Sequence, residues 1–134
     1  MPTTTADILP VNTSDDIVRV RQEVRRLAVE AGLGLVDQTK IVTAASELAR
    51  NLLDHAGSGV VQVAPISEIG KRGVRLVFED KGPGIPDIEK ALTDGYTTGK
   101  GLGLGLGGAR RLSNEFRIDT KVGEGTRITI ARWK

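Results

Sequence analysis

The sequence predicts an α+β fold: one domain over residues 1–134, a two-layer sandwich with a mixed, mostly antiparallel sheet and helices on one face. Two long N-terminal segments carry apolar residues at helical spacing. Four later segments read as strands, in two pairs, each pair joined by a glycine-containing turn. Helices and hairpins in this order pack as one helix layer on one sheet layer.

Ile8–Asn12 is short and apolar, and Pro10 restricts it to a sheet edge. Ser14-Asp15-Asp16 reads as a helix start, a cap followed by first-turn acids. Ile17, Val20, Val24, Leu27, Ala28 and Ala31 form the apolar stripe of that helix, and Gly32 stops it. Arg19, Arg21, Arg25 and Arg26 lie largely off the stripe and read as a solvated face. Asp37 is the expected cap of a second helix running to about Ala56, with Ile41, Ala44, Ala45, Leu48, Leu52 and Leu53 buried. Val60–Val63 with Ile66 and Val74–Asp80 form the first hairpin, across Ile69–Gly73. Pro86–Leu92 fits a short helix with proline in its first turn. A further helix is expected near Gly105–Asn114. Phe116–Thr120 and Thr126–Ile130 close the chain as a second hairpin.

Composition narrows the chemistry. The chain has 134 residues, no cysteine and a single histidine, His55. That argues against disulfides, thiolate metal sites, histidine-rich zinc sites and a Ser-His-Asp triad. A net charge of +2 with 27% charged residues is too balanced to attract nucleic acid by bulk field. No apolar run approaches the ~20 residues a membrane span needs. No basic-then-apolar leader opens the chain. The expectation is a soluble cytoplasmic domain with neither nucleic-acid nor membrane partners.

The densest local signal is Gly101-Leu102-Gly103-Leu104-Gly105-Leu106-Gly107-Gly108, preceded by Lys100 and leading into a helical pattern. Successive backbone N–H groups at a helix start suit a polyphosphate. The run does not follow the first strand of a βαβ unit, so it is no dinucleotide fingerprint. No Gly-Lys-Ser/Thr follows it, so it is no Walker loop.

Three polar features complete a possible site. Glu47 and Asn51 are four apart and share a helix face, a base beside an oxygen donor for magnesium. Asp80 ends a strand and is followed by Gly82, Gly84 and Ile85; there it can accept a hydrogen bond from an exocyclic amine. Thr126 follows Gly123-Glu124-Gly125 at the start of the last strand.

In this order and spacing these residues resemble the GHKL, or Bergerat-fold, ATPase superfamily of gyrase, the ninety-kilodalton heat-shock chaperone, histidine kinases and MutL. Glu47–Asn51 resembles its N-box, Asp80–Ile85 its first glycine box, Gly101–Leu106 its second, and Gly125-Thr126 its closing threonine. Within the superfamily, the short chain, Ser46–Asn51, Glu79–Ile88 and Asp94–Thr98 resemble the anti-sigma-factor serine/threonine kinases of the RsbT, or stressosome switch kinase, type.

The resemblance implies transfer of the ATP terminal phosphate to a serine or threonine of a STAS-domain partner. Glu47 is then the catalytic base and Asn51 the Mg²⁺ ligand. Asp80, supported by Thr126, holds the adenine amine, and the N–H groups of Gly101, Leu102, Gly103, Leu104, Gly105 and Leu106 cradle the phosphates, with Lys100 a candidate cation beside them. Gly82, Gly84, Ile85 and Thr98 complete the ATP-binding set. It further implies a regulatory phosphatase as second partner and permits a homodimer. The alternative is a non-catalytic, nucleotide-responsive module that docks a STAS protein, a phosphatase or a sigma factor. Asp94–Gly105, rich in glycine and threonine, is expected to act as a lid that orders on nucleotide.

Overall fold

The computed structural model describes residues 7–92 and 104–134. Its elements are β1 (Asp7–Val11), α1 (Ser14–Glu30), α2 (Leu35–Ala56), β2 (Gly59–Glu68), β3 (Lys71–Asp80), α3 (Ile88–Leu92), α4 (Leu104–Arg111), β4 (Glu115–Lys121) and β5 (Gly125–Trp133). The five strands form one sheet in the order β1-β2-β3-β5-β4, and all four pairings are antiparallel.

The helix layer follows from the stripes. Ile17, Val20, Val24, Leu27 and Ala28 of α1 are buried, as are Ile41, Ala44, Ala45, Leu48 and Leu52 of α2. They meet the inward side chains of the sheet, among them Val61, Val63, Val74, Leu76, Phe78, Ile128 and Ile130. Each fully buried aliphatic side chain contributes about 1.5–3 kcal/mol. Pro10 sits in β1, an edge strand, where its missing N–H costs little.

Thr13, not Ser14, is the N-cap of α1, and the first turn is closed by its own sequence. The Asn12 and Thr13 N–H groups donate to Asp16 Oδ2 at 2.8 and 3.1 Å. Two arginines of the α1 outer face are in ion pairs: Arg26 with Glu23 and Glu30 of α1 and with Asp7 of β1, and Arg19 with Asp16.

Other boundaries also differ from the sequence reading. α3 begins at Ile88, so Pro86 precedes the helix instead of lying in its first turn, and α4 ends at Arg111 rather than near Asn114. α2 begins at Leu35 with Gly34 as N-cap, not at Asp37. Asp37 lies in the first turn and its Oδ1 accepts from Arg132 Nη2 of β5 at 2.7 Å. A tertiary ion pair has taken the carboxylate that the local pattern offered to the helix. The first hairpin is tighter than expected, since Glu68 pairs with Lys71 and only Ile69 and Gly70 form the loop.

The expected lid lies outside the described residues except for Leu104 and Gly105, and Thr98, Lys100, Gly101, Leu102 and Gly103 fall there with it. Among the described residues no helix is long and apolar enough to cross a membrane.

Candidate nucleotide site

The C-terminal half of α2, the end of β3, the start of β5 and the first turn of α4 line a half-open cavity of about 20 Å³. Leu48, Leu52, Phe78, Ile85, Leu106 and Ile128 give it apolar walls, and Asn51, His55, Asp80 and Thr126 supply its polar groups. A mostly apolar cleft with a few convergent polar groups is the ordinary form of a small-molecule site.

Asn51 and His55 reach the cavity from adjacent turns of α2. Asn51 is only 7% exposed, and its buried Nδ2 has no hydrogen-bond partner among the described residues. Such an unpaired group costs about 1–3 kcal/mol of desolvation, so it calls for an explanation. Rotation of the amide by half a turn presents its oxygen to the same space, so the residue fits a ligand there, including a metal that takes oxygen donors.

Asp80 and Thr126 face each other because they are register partners across β3 and β5. Directly opposed side chains stand about 4.5–5.5 Å apart at Cβ. Asp80 Oδ1 accepts the Gly82 N–H at 2.8 Å, which turns the chain sharply after the strand. Among the described residues its second oxygen has no partner and remains available.

The turn from Lys81 to Ile85 is pinned along its length. The Gly123 N–H donates to the Pro83 carbonyl at 2.8 Å. His55 Nε2–H donates to the Gly84 carbonyl at 2.9 Å. The Ile85 N–H donates to Thr120 Oγ1 at 2.9 Å. Glycine is required at two of these positions. Gly84 has φ +78°, and a Cβ there would lie 2.5 Å from the Lys121 carbonyl oxygen. A Cβ at Gly82 would lie 2.7 Å from that of Ala56 on α2, so the turn could not seat against the helix.

The described end of the second glycine run, Leu104–Leu106, forms the first turn of α4. Leu104, Gly105 and Leu106 are helical, and Leu106 is buried against the cavity. The first N–H groups of a helix have no carbonyl partner within it and favour anions. At the other end of α4, Arg132 Nη1 donates to the Leu112 carbonyl at 3.2 Å while its Nη2 holds Asp37. One guanidinium thereby ties α4 to the start of α2.

Of the residues expected from sequence, the structure brings Asn51, Asp80, Ile85, Leu106 and Thr126 to the cavity, with Gly82 and Gly84 forming its turn. Glu47 stands apart from the cavity wall, exposed, one turn before Asn51. His55, the chain's single histidine, holds the first glycine turn. Thr120 was missed, although the alternation of Phe116, Ile118 and Thr120 points it inward.

Comparison with known proteins agrees with this geometry. The model of the histidine kinase-, DNA gyrase B-, and HSP90-like ATPases matches residues 36–134. The serine/threonine-protein kinase RsbT of Bacillus subtilis (strain 168) is 47% identical over 123 residues, covering 92% of each chain. An anti-sigma F factor of Geobacillus stearothermophilus is 32% identical over 70% of this chain and 68% of its own. Another, from Clostridium novyi (strain NT), is 29% identical over 80% of this chain and 82% of its own. The chain belongs to the histidine kinase-, DNA gyrase B- and HSP90-like ATPase family, as an RsbT homologue with the ATP-binding domain of that family.

Proposed function

We propose that this chain is an ATP-dependent serine/threonine protein kinase. In this reading it phosphorylates a STAS-domain protein and acts as a switch in a bacterial sigma-factor or stress-signalling pathway. The observation that carries the reading is the convergence of Asn51, Asp80 and Thr126 with the α4 N-terminus on one cavity, in a chain 47% identical to a serine/threonine kinase.

The free oxygen of Asp80 accepts a hydrogen bond from the exocyclic amine of adenine, with Thr126 beside it. The apolar walls take the faces of the ring. Asn51 would hold Mg²⁺ through its amide oxygen, and the metal would neutralise charge on the phosphates. The α4 first-turn N–H groups, with Gly101–Gly103 and Lys100 before them, receive the phosphates. Glu47 accepts the proton of the attacking hydroxyl as its oxygen bonds to the terminal phosphorus and ADP leaves.

The exposed position of Glu47 suits a base that must meet a hydroxyl carried by another protein. It also motivates a second reading, a nucleotide-responsive module that docks a partner without transfer. Incubation with ATP labelled on its terminal phosphate and a STAS-domain protein separates the two. Label on a serine or threonine of the partner, lost with Glu47→Ala, is the expected result. ATP binding with no label transferred by the wild type would overturn the kinase reading and leave the docking module.

A further inference from the structure

Thr120 lies on β4, outside the cavity, yet its hydroxyl touches three groups that shape it. It accepts the Ile85 N–H at 2.9 Å, donates to the Gly125 carbonyl at 3.2 Å, and meets Thr126 Oγ1 at 2.9 Å. A hydroxyl has one proton and two lone pairs. An amide N–H can only donate and a carbonyl can only accept, so the Thr120 proton is committed to Gly125. All three contacts are satisfied at once only when Thr126 is the donor at the Thr120–Thr126 contact.

This count fixes what Thr126 can offer a ligand. Its single proton is spent on Thr120, so toward the cavity its oxygen only accepts. Asp80, its register partner, also only accepts through its free carboxylate oxygen. Two acceptors side by side suit a group with two N–H donors and repel a ring carbonyl. The residue is 6% exposed, so solvent gives little relief to a mismatched ligand.

We propose that Thr120 is a positioning residue for nucleotide specificity: by taking the Thr126 proton it makes the Asp80–Thr126 pair an acceptor-only reader of the 6-amino group. The inference rests on ATP binding in this cavity. It adds a residue that touches no ligand and sets selectivity through another side chain.

The test compares ATP with inosine triphosphate, which carries a carbonyl in place of the 6-amino group. Titration calorimetry of the wild type should favour ATP by about 5- to 150-fold, the range for leaving a buried polar group unpaired. In Thr120→Val the Thr126 proton is released and can turn to the carbonyl, so the ATP-to-inosine ratio should fall about 5-fold or more. Thr120→Ser should restore the ratio. A merely structural role would weaken both nucleotides by one factor, and an unchanged ratio in Thr120→Val overturns the proposal. Thermal melting identifies a variant that fails to fold. In that event Thr126→Val decides: it should weaken ATP and leave inosine triphosphate unchanged or tighter. Greater loss for inosine triphosphate would mean that Thr126 donates into the cavity, and would overturn the proposal. Absence of ATP binding by the wild type would instead remove the ATP reading beneath it.

Discussion

Asn51 makes opposite predictions for stability and function, and this sets it apart from an ordinary buried asparagine. Among the described residues its Nδ2 is buried and unpaired, which corresponds to a desolvation cost of about 1–3 kcal/mol at this side chain. Asn51→Leu keeps the branching and the number of heavy atoms, removes the unpaired group and adds apolar contact with the neighbouring Leu48 and Leu52. For 134 residues the unfolding entropy near the midpoint is about 280 cal/mol/K. Relief of 1–3 kcal/mol then raises the Tm by roughly 4–11 °C. The same change removes the oxygen proposed for Mg²⁺, so Mg²⁺-dependent ATP affinity should be lost. Differential scanning calorimetry and nucleotide titration with and without Mg²⁺ measure the two effects. A Tm that drops by several degrees would mean that the amide stabilises the free fold, and an unchanged ATP affinity would mean that Asn51 does not serve the nucleotide. Either result refutes the reasoning.

Glu47→Ala should bind ATP normally while transfer to a protein hydroxyl falls by roughly 10²–10⁴-fold, read by single-turnover label transfer. Asp80→Asn turns an acceptor toward the base into a donor and should weaken ATP by about 1–3 kcal/mol, with a smaller loss for inosine triphosphate in the same titration. Gly84→Ala forces a Cβ onto a φ of +78° and against the Lys121 carbonyl. Strain of this kind costs about 1–3 kcal/mol, so both the melting temperature and ATP affinity should fall, since the turn carries Ile85 into the site. The Asn12 N–H, and after it that of Thr13, hold the Asp16 carboxyl below the usual carboxylate range. That stabilisation is complete above the unfolded value near 4 and disappears as the pH falls through the lower folded value. Acid melting curves should therefore show wild type losing stability below about pH 4 more steeply than Asp16→Ala.

Much of this was legible because periodicity and punctuation are local. The stripes of α1 and α2 follow from residues three and four apart, and burial in the structure follows them. Spacing also placed Asp80 at a strand end and Thr126 at a strand start. Their meeting required the register of β3 on β5, which no local pattern carries. Asp37 shows the reverse case. Its position suited a cap, but Arg132, 95 residues away, claimed the carboxylate. His55 read only as the chain's single histidine, because a sequence shows a residue type and not its partner. With Nε2 committed to the Gly84 carbonyl, it acts as a brace. Thr120 looked like ordinary strand composition, and its importance lies in a proton count that needs three distances.

The most direct test of the central claim, that this cavity holds Mg²⁺-ATP, is an amide ¹⁵N–¹H titration of the whole chain with a non-hydrolysable ATP analogue. The account predicts the largest shifts at Gly82, Ile85, Leu106 and Thr126, with slowed hydrogen exchange at Leu104–Leu106, and smaller effects at the α4 amides with ADP. Shifts concentrated instead in the open groove beside Asn12, Ser58 and Glu124, with Ile85 and Thr126 unmoved, would contradict it.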